Sequence, residues 1–114
     1  MKPEKTFFAN FWESESNSQG GRLLMYEDKI TFQAHAINFG NLSEKTMLIN
    51  EIVKVEKEGN FIDLRLHIHD LNGRVMVLTT WSRDKIINFI NIKQNKTSEG
   101  GLKRKYLLIH LESI

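Results

Sequence analysis

Short apolar runs at a period of two recur along this chain, divided by clusters of Gly, Asn, Asp and Ser. That pattern predicts strands with one wet face. In "KTFFANFW", residues 5–12, Phe7, Ala9 and Phe11 fall on one face and Phe8, Asn10 and Trp12 on the other. "ESESNSQGG", residues 13–21, is polar and glycine-rich and reads as a solvated loop. "RLLMY" and "KITFQAH" follow, joined through Glu27 and Asp28; Ile30, Phe32 and Ala34 alternate with Lys29, Thr31, Gln33 and His35. "KTMLINEIVKVEKEG" predicts a strand around 45–49, a bend near Asn50, and a strand through Ile52, Val53 and Val55. In "FIDLRLHIHD", Leu64, Leu66 and Ile68 face in, while Arg65, His67 and His69 face out. "LNG", residues 71–73, predicts a hairpin, because Asn-Gly accepts the positive φ angles of a type I′ turn. "RVMVLTTW" completes it.

The period then changes. Ser82 is placed to N-cap a helix, and Asp84 in its first turn suits the dipole. Ile86, Phe89, Ile90 and Lys93 recur at helical spacing, with Ile87 widening the stripe. "NKTSEGG" ends the helix, and "LKRKYLLIHLES" returns to alternation and reads as an extra strand. The expected fold is mainly β: about seven antiparallel strands and one C-terminal helix covering a sheet face or a barrel end. The expected organisation is one domain over residues 1–97 and a C-terminal extension over residues 98–114.

Composition narrows the chemistry more than the fold. The 114 residues contain no cysteine, which excludes disulfides, thiolate nucleophiles and cysteine-based metal sites. A net charge of +2 is too mild to point to nucleic acid. The start, "MKPEKTFFANFW", has a short apolar patch interrupted by Asn10, unlike a secretory leader, and no run approaches a membrane span. The expectation is a cytoplasmic chain.

The stretch "GGRLLMYEDKITFQAHAINFG" runs a glycine-led strand through a tight turn into an "I-T-F" strand ending in His and Asn. With "INEIVKVEK" and "LRLHIHDLNGRVMVLTTWSRDKIINFI", it resembles bacterial GRAM domains, members of the pleckstrin-homology-like superfamily. The resemblance covers roughly Gly20 to Lys93 and rests on hydrophobic positions with a few polar landmarks. It implies a barrel capped by the helix and a non-enzymatic module that binds proteins or membrane lipids.

Each candidate site has a plainer structural explanation beside it. His35, Asn38 and Gly40 would shape the loop after the third strand, since Asn and Gly tolerate left-handed backbone angles. His67 and His69 project from one strand face, close enough to share a metal, but a third ligand would have to come from His35 or His110. A solvated strand face explains them better, and no metal or other cofactor is expected. Pleckstrin-homology domains that bind lipid usually hold the headgroup with basic residues around the first hairpin loop. Here that stretch carries Glu13 and Glu15 and no basic residue before Arg22. A different basic face could draw on Lys29, Arg65 and Arg74. Trp12, Trp81 and the phenylalanines could stack bases, but most lie in alternating runs that read as core, and no nucleic-acid motif accompanies them. No phosphate-binding loop, "GxSxG" or "HExxH" is present, so no enzyme activity is expected.

The tail offers Lys103, Arg104 and Lys105 beside the alternating Leu107 and Ile109. Two functions follow as expectations. The first is an interaction module that binds a protein partner, or a second copy as a homodimer, by strand addition at a sheet edge. The alternative is peripheral binding to anionic lipid at the inner membrane face through the basic residues.

Overall fold

The computed structural model describes residues 2–35, 44–59 and 64–97. Its strands are β1 (Lys5–Ser14), β2 (Asn17–Met25), β3 (Lys29–Ala34), β4 (Glu44–Leu48), β5 (Ile52–Glu58), β6 (Arg65–Asp70) and β7 (Val75–Thr79). Helix α1 (Arg83–Thr97) follows, and a 3₁₀ turn, Ile49–Glu51, joins β4 to β5. All strands belong to one antiparallel sheet in the order β4-β3-β2-β1-β7-β6-β5. Two meanders therefore meet where β1 pairs with β7. That seam is short, matching Asn10 with Thr79 and Phe11 with Leu78.

Seven strands laid flat at ordinary spacing would span about 30 Å, more than one helix can cover. Yet Phe11, Met25, Phe32, Met47, Val55, Ile68 and Leu78, one from each strand, share a single buried cluster with Ile86 and Ile90 of α1. The sheet must curl to bring them together, and the helix closes the opening. Ile86, Ile87, Phe89 and Ile90 are the buried apolar residues of α1, each worth about 2 kcal/mol by the ordinary transfer value.

Polar contacts fix both ends of α1. At its start the Ser82 carbonyl accepts the Ile86 N–H at 3.0 Å, while Arg83 Nη1 donates to the carbonyls of Glu58 and Arg65 at 3.1 and 3.2 Å. Lys57 Nζ meets Asp84 at 2.9 Å. Near its end, Lys93 Nζ lies 2.9 Å from Glu4 and 2.8 Å from Glu27. Gln94, buried, donates through Nε2 to the carbonyls of Ile49 and Ile52, both at 2.9 Å. These last bonds clamp the helix onto the link between the two edge strands, β4 and β5.

The structure corrects three sequence expectations. The loop expected over 13–21 is mostly strand: β1 runs to Ser14 and β2 starts at Asn17, leaving Glu15 and Ser16 as the turn. Backbone pairing needs no apolar side chain, so polarity alone misled the reading. The hairpin at Asn72-Gly73 is present, but its connection is three residues long rather than a type I′ pair. The Asp70 N–H donates to the Arg74 carbonyl at 3.0 Å, the Gly73 N–H donates to the Asp70 carbonyl at 3.2 Å, and Gly73 sits at φ 82°. This is a turn followed by a left-handed bulge residue. The Asp70 carboxylate sets it by accepting the N–H groups of Asn72 and Arg74, both at 2.9 Å. Thr31, expected on the wet face, is buried, its hydroxyl 3.0 Å from that of Thr46 on β4.

Candidate functional site

The outer face of the β1–β7 seam carries the most exposed large aromatic side chains among the described residues. Phe8 is 73% exposed and Trp81 88%. They flank a cleft of about 320 Å³ whose lining includes Asn10, Gly20, His35 and Thr79.

Local bonding explains why both rings stand out. Phe8 lies on the outward register of β1, opposite Arg22 of β2. Trp81 follows Thr80, where the chain leaves β7 for the helix. Thr80 is buried, its hydroxyl donates to the Phe8 carbonyl at 2.8 Å and accepts the Ser82 N–H at 3.1 Å, and its own N–H donates to the Leu64 carbonyl at 3.0 Å. With Thr80 fixed from three sides, the chain places Trp81 beside the cleft and not in the core. The second tryptophan is engaged differently. Trp12 Nε1 donates to Thr79 Oγ1 at 2.7 Å, and the Arg65 guanidinium lies 5.0 Å from its ring centre.

Glycine shapes the floor. A Cβ on Gly21 would lie 2.3 Å from the Gln33 carbonyl oxygen and 2.7 Å from the Phe32 ring, so β2 can approach β3 only without one. Gly20 differs. A Cβ there would meet only the Asn10 side chain at 3.2 Å and the His35 ring at 3.8 Å, both parts of the cleft wall. The missing side chain at Gly20 therefore leaves cleft volume open.

The other sequence candidates are dispersed. His35 follows β3 directly, donates its N–H to the Gly20 carbonyl at 3.0 Å and places its ring 6.2 Å from that of Phe8. It joins the cleft wall; Asn38 and Gly40 lie outside the described residues. Arg65 starts β6 and Arg74 follows its far end, so the strand's length separates them. Arg74 Nε donates to Asp70 at 2.8 Å, and Lys29 Nζ sits 5.1 Å from the Tyr26 ring centre. Lys103, Arg104, Lys105, Leu107 and Ile109 lie outside the described residues.

His67 and His69 do project from one face, with ring centres 6.4 Å apart. Each meets its own carboxylate: His67 Nε2 bonds Glu58, and His69 Nε2 lies 2.7 Å from Glu56. Burial works to raise the Glu56 carboxyl, but the His69 hydrogen bond and the Lys54 charge outweigh it and hold the group below its ordinary value. Among the described residues no group of three or more His, Asp or Glu side chains converges on a metal position.

Sequence reasoning missed Phe8 and Trp81 as site residues by reading aromatic runs as core. The available signals were a strand with aromatics on both faces and a tryptophan between a Thr-Thr pair and the serine at the helix start.

Seven antiparallel strands, curled around one core and closed by a C-terminal helix, make this a pleckstrin-homology-like fold. Solved structures share it. The C-terminal domain of an unknown protein from Leishmania infantum superposes with a TM-score of 0.67 at 14% identity, over 81% of this chain and 83% of that one. The hSac2 domain of the human phosphoinositide phosphatase Sac2 gives 0.65 at 10% identity, over 99% and 79%. A linker-DH/PH fragment of p115-RhoGEF gives 0.64 at 8% identity over 81% of this chain, which spans only 28% of that longer chain. At such identities the likeness is one of fold. No family model and no curated protein matches the sequence.

Proposed function

We propose that this chain is a non-catalytic interaction module of the GRAM type, formed by residues 1–97, that captures a protein partner in the cleft between Phe8 and Trp81. The observation that carries this reading is the pair of exposed rings flanking a preformed cleft. Solvent-facing aromatics are expensive to leave in water and are enriched at binding surfaces, where they act as anchors. The decisive experiment compares the wild-type chain with a Phe8→Ala/Trp81→Ala double variant as baits. A specific partner, identified by mass spectrometry and rebound in purified form, should be held by the first and lost by the second. Equal binding of that partner to both baits would remove the cleft from the reading.

Self-association is a second reading, favoured by the two edge strands, β4 and β5, which among the described residues pair with a neighbouring strand on one side only. Here the extension over residues 98–114 adds a strand to an edge of a second copy through Leu107 and Ile109. A full-length chain with both changed to Lys should then shift from dimer to monomer mass by light scattering. The anionic-lipid alternative has less support. Arg74 is engaged by Asp70 and Arg65 by the Trp12 ring, at opposite ends of β6.

A further inference from the structure

We infer that residues 106–111 of this chain form an added strand that pairs antiparallel with the open edge of β4 and lays Leu107 and Ile109 into the groove beside it. This is independent of the cleft reading, and it gives to the chain itself the segment that self-association would lend to a second copy.

The groove lies between β4 and the start of β7. It measures about 220 Å³, and its lining includes Phe11, Met47, Val75 and Met76. Val75 is 44% exposed, and the other three belong to the core cluster, which therefore reaches the surface here. Lys45 shares a face of β4 with the buried Met47, and its ammonium lies 6.0 Å from the Phe11 ring centre. On the opposite face of β4, Leu48 is 43% exposed. Apolar surface on both faces of a sheet edge is what an added strand covers, since its side chains alternate between the two.

The two sheet edges differ. At β5 the carbonyls of its end residues, Ile52 and Glu58, accept Gln94 Nε2 at 2.9 Å and Arg83 Nη1 at 3.1 Å. Helix α1 therefore already engages that strand at both ends. Among the described residues β4 pairs on one side only, with β3. Its other side presents backbone donors and acceptors to a further strand.

Reach and direction select the chain's own segment. Gln94 Nε2 also donates to the Ile49 carbonyl at 2.9 Å, so the last turn of α1 lies at the Leu48 end of β4. Residues 98–105, which include Gly100 and Gly101, can span at most about 29 Å. A segment that enters at the Leu48 end and returns along β4 is antiparallel to it. Parallel pairing would first stretch the linker along the strand, about 17 Å. A short tether holds the segment near its own β4 at millimolar effective concentration, well above that of a second copy in dilute solution.

The segment's pattern fits the two faces. Leu107 and Ile109 share one face, and Tyr106, Leu108 and His110 share the other. The aliphatic pair suits the groove. The second set brings Leu108 to the side that carries Leu48 and keeps the polar tips of Tyr106 and His110 in water.

The test uses the full chain, whose lack of cysteine lets Glu44→Cys carry a single nitroxide label at the far end of β4. In one sample the isotope-enriched, spin-labelled chain is diluted into excess native chain without isotope. In the other, isotope-enriched native chain is mixed with spin-labelled chain without isotope. The expected result is paramagnetic broadening in the first sample, stronger at residues 109–113 than at residues 102–105, and none at these positions in the second. Without the label, Leu107→Asn/Ile109→Asn should speed amide exchange at Thr46 and Met47 at least about tenfold and leave β6 amides unchanged. Circular dichroism checks that each variant keeps its fold. Broadening in the second sample would assign the groove to a second copy's segment and overturn the own-chain strand. No broadening in either sample, or unchanged exchange in β4, would overturn the added strand altogether. None of these outcomes moves the cleft reading, which is tested separately at Phe8 and Trp81.

Discussion

The hydroxyl of Thr80 donates to the carbonyl of Phe8 at 2.8 Å, joining two residues 72 positions apart. This bond fastens the end of the second meander to the first strand of the first meander, beyond the two residue pairs of the β1–β7 seam. It also sets Trp81 beside Phe8. Thr80→Val keeps the shape but removes the donor to Phe8 and the acceptor for the Ser82 N–H. We expect a loss of about 2 kcal/mol in urea unfolding, since buried partners are left unsatisfied, together with weaker binding at the cleft. A Thr80→Ser chain, which retains the hydroxyl, should recover most of the binding.

The exposed rings behave oppositely. Phe8→Ala and Trp81→Ala remove side chains that are mostly in water, so each should change stability by less than about 0.5 kcal/mol. Binding of the partner should weaken at least about tenfold for each, the ordinary consequence of truncating an anchor. Thermal melts beside titration calorimetry separate the two effects.

The adjacent glycines give a sharp contrast. In Gly21→Ala the new methyl would sit 2.3 Å from a backbone oxygen of β3, so the strands must part. We expect a loss of roughly 3 kcal/mol, at the upper end for overpacking, read by denaturant unfolding. In Gly20→Ala the nearest atom belongs to the movable Asn10 side chain at 3.2 Å. Its stability should change little, and the reduced freedom of the unfolded chain works in its favour.

Gln94→Leu tests the clamp between α1 and the β4–β5 link. The leucine fills similar space but leaves the carbonyls of Ile49 and Ile52 without the donor they have in the native chain. A loss of about 3 kcal/mol is expected. Amide hydrogen exchange should rise first in Ile49–Glu51 and the last turns of α1.

Asp70 makes acid sensitivity local to one hairpin. Burial acts to raise its carboxyl, but hydrogen bonds from Arg74 and Asn72 and the Arg74 charge prevail and hold it below its ordinary value of 3.8. A depressed carboxyl stabilises the fold fully above that ordinary value, and the contribution is lost as pH falls through the lower folded value. Asp70→Asn should therefore be less stable than the native chain at neutral pH. The gap should narrow below about pH 4, as followed by thermal melts across a pH series.

The alternation made most of the fold legible. Ile30 and Phe32, Leu66 and Ile68, and the helical set Ile86, Ile87, Phe89, Ile90 and Lys93 are buried as their spacing requires. Lys93 brings a charge to that apolar stripe, and Glu4 and Glu27 receive its ammonium. Those hydrogen bonds, led by the one to Glu27, raise its pKa. The candidate site was largely illegible. A strand pattern says which face a residue occupies, not whether another element will cover that face.

Sequence by itself determined the inventory and the inward register: seven short strands, one amphipathic helix, and the side chains that enter the core. It could do so because side-chain periodicity follows from local backbone geometry and each element must bury its own apolar face. Tertiary structure decided the closure, the seam and the cleft. The pairing of β1 with β7, the reach of Thr80 to Phe8 and the clamp of Gln94 on Ile49 and Ile52 join residues dozens of positions apart. Such contacts depend on the curl of the whole sheet, which no local pattern encodes.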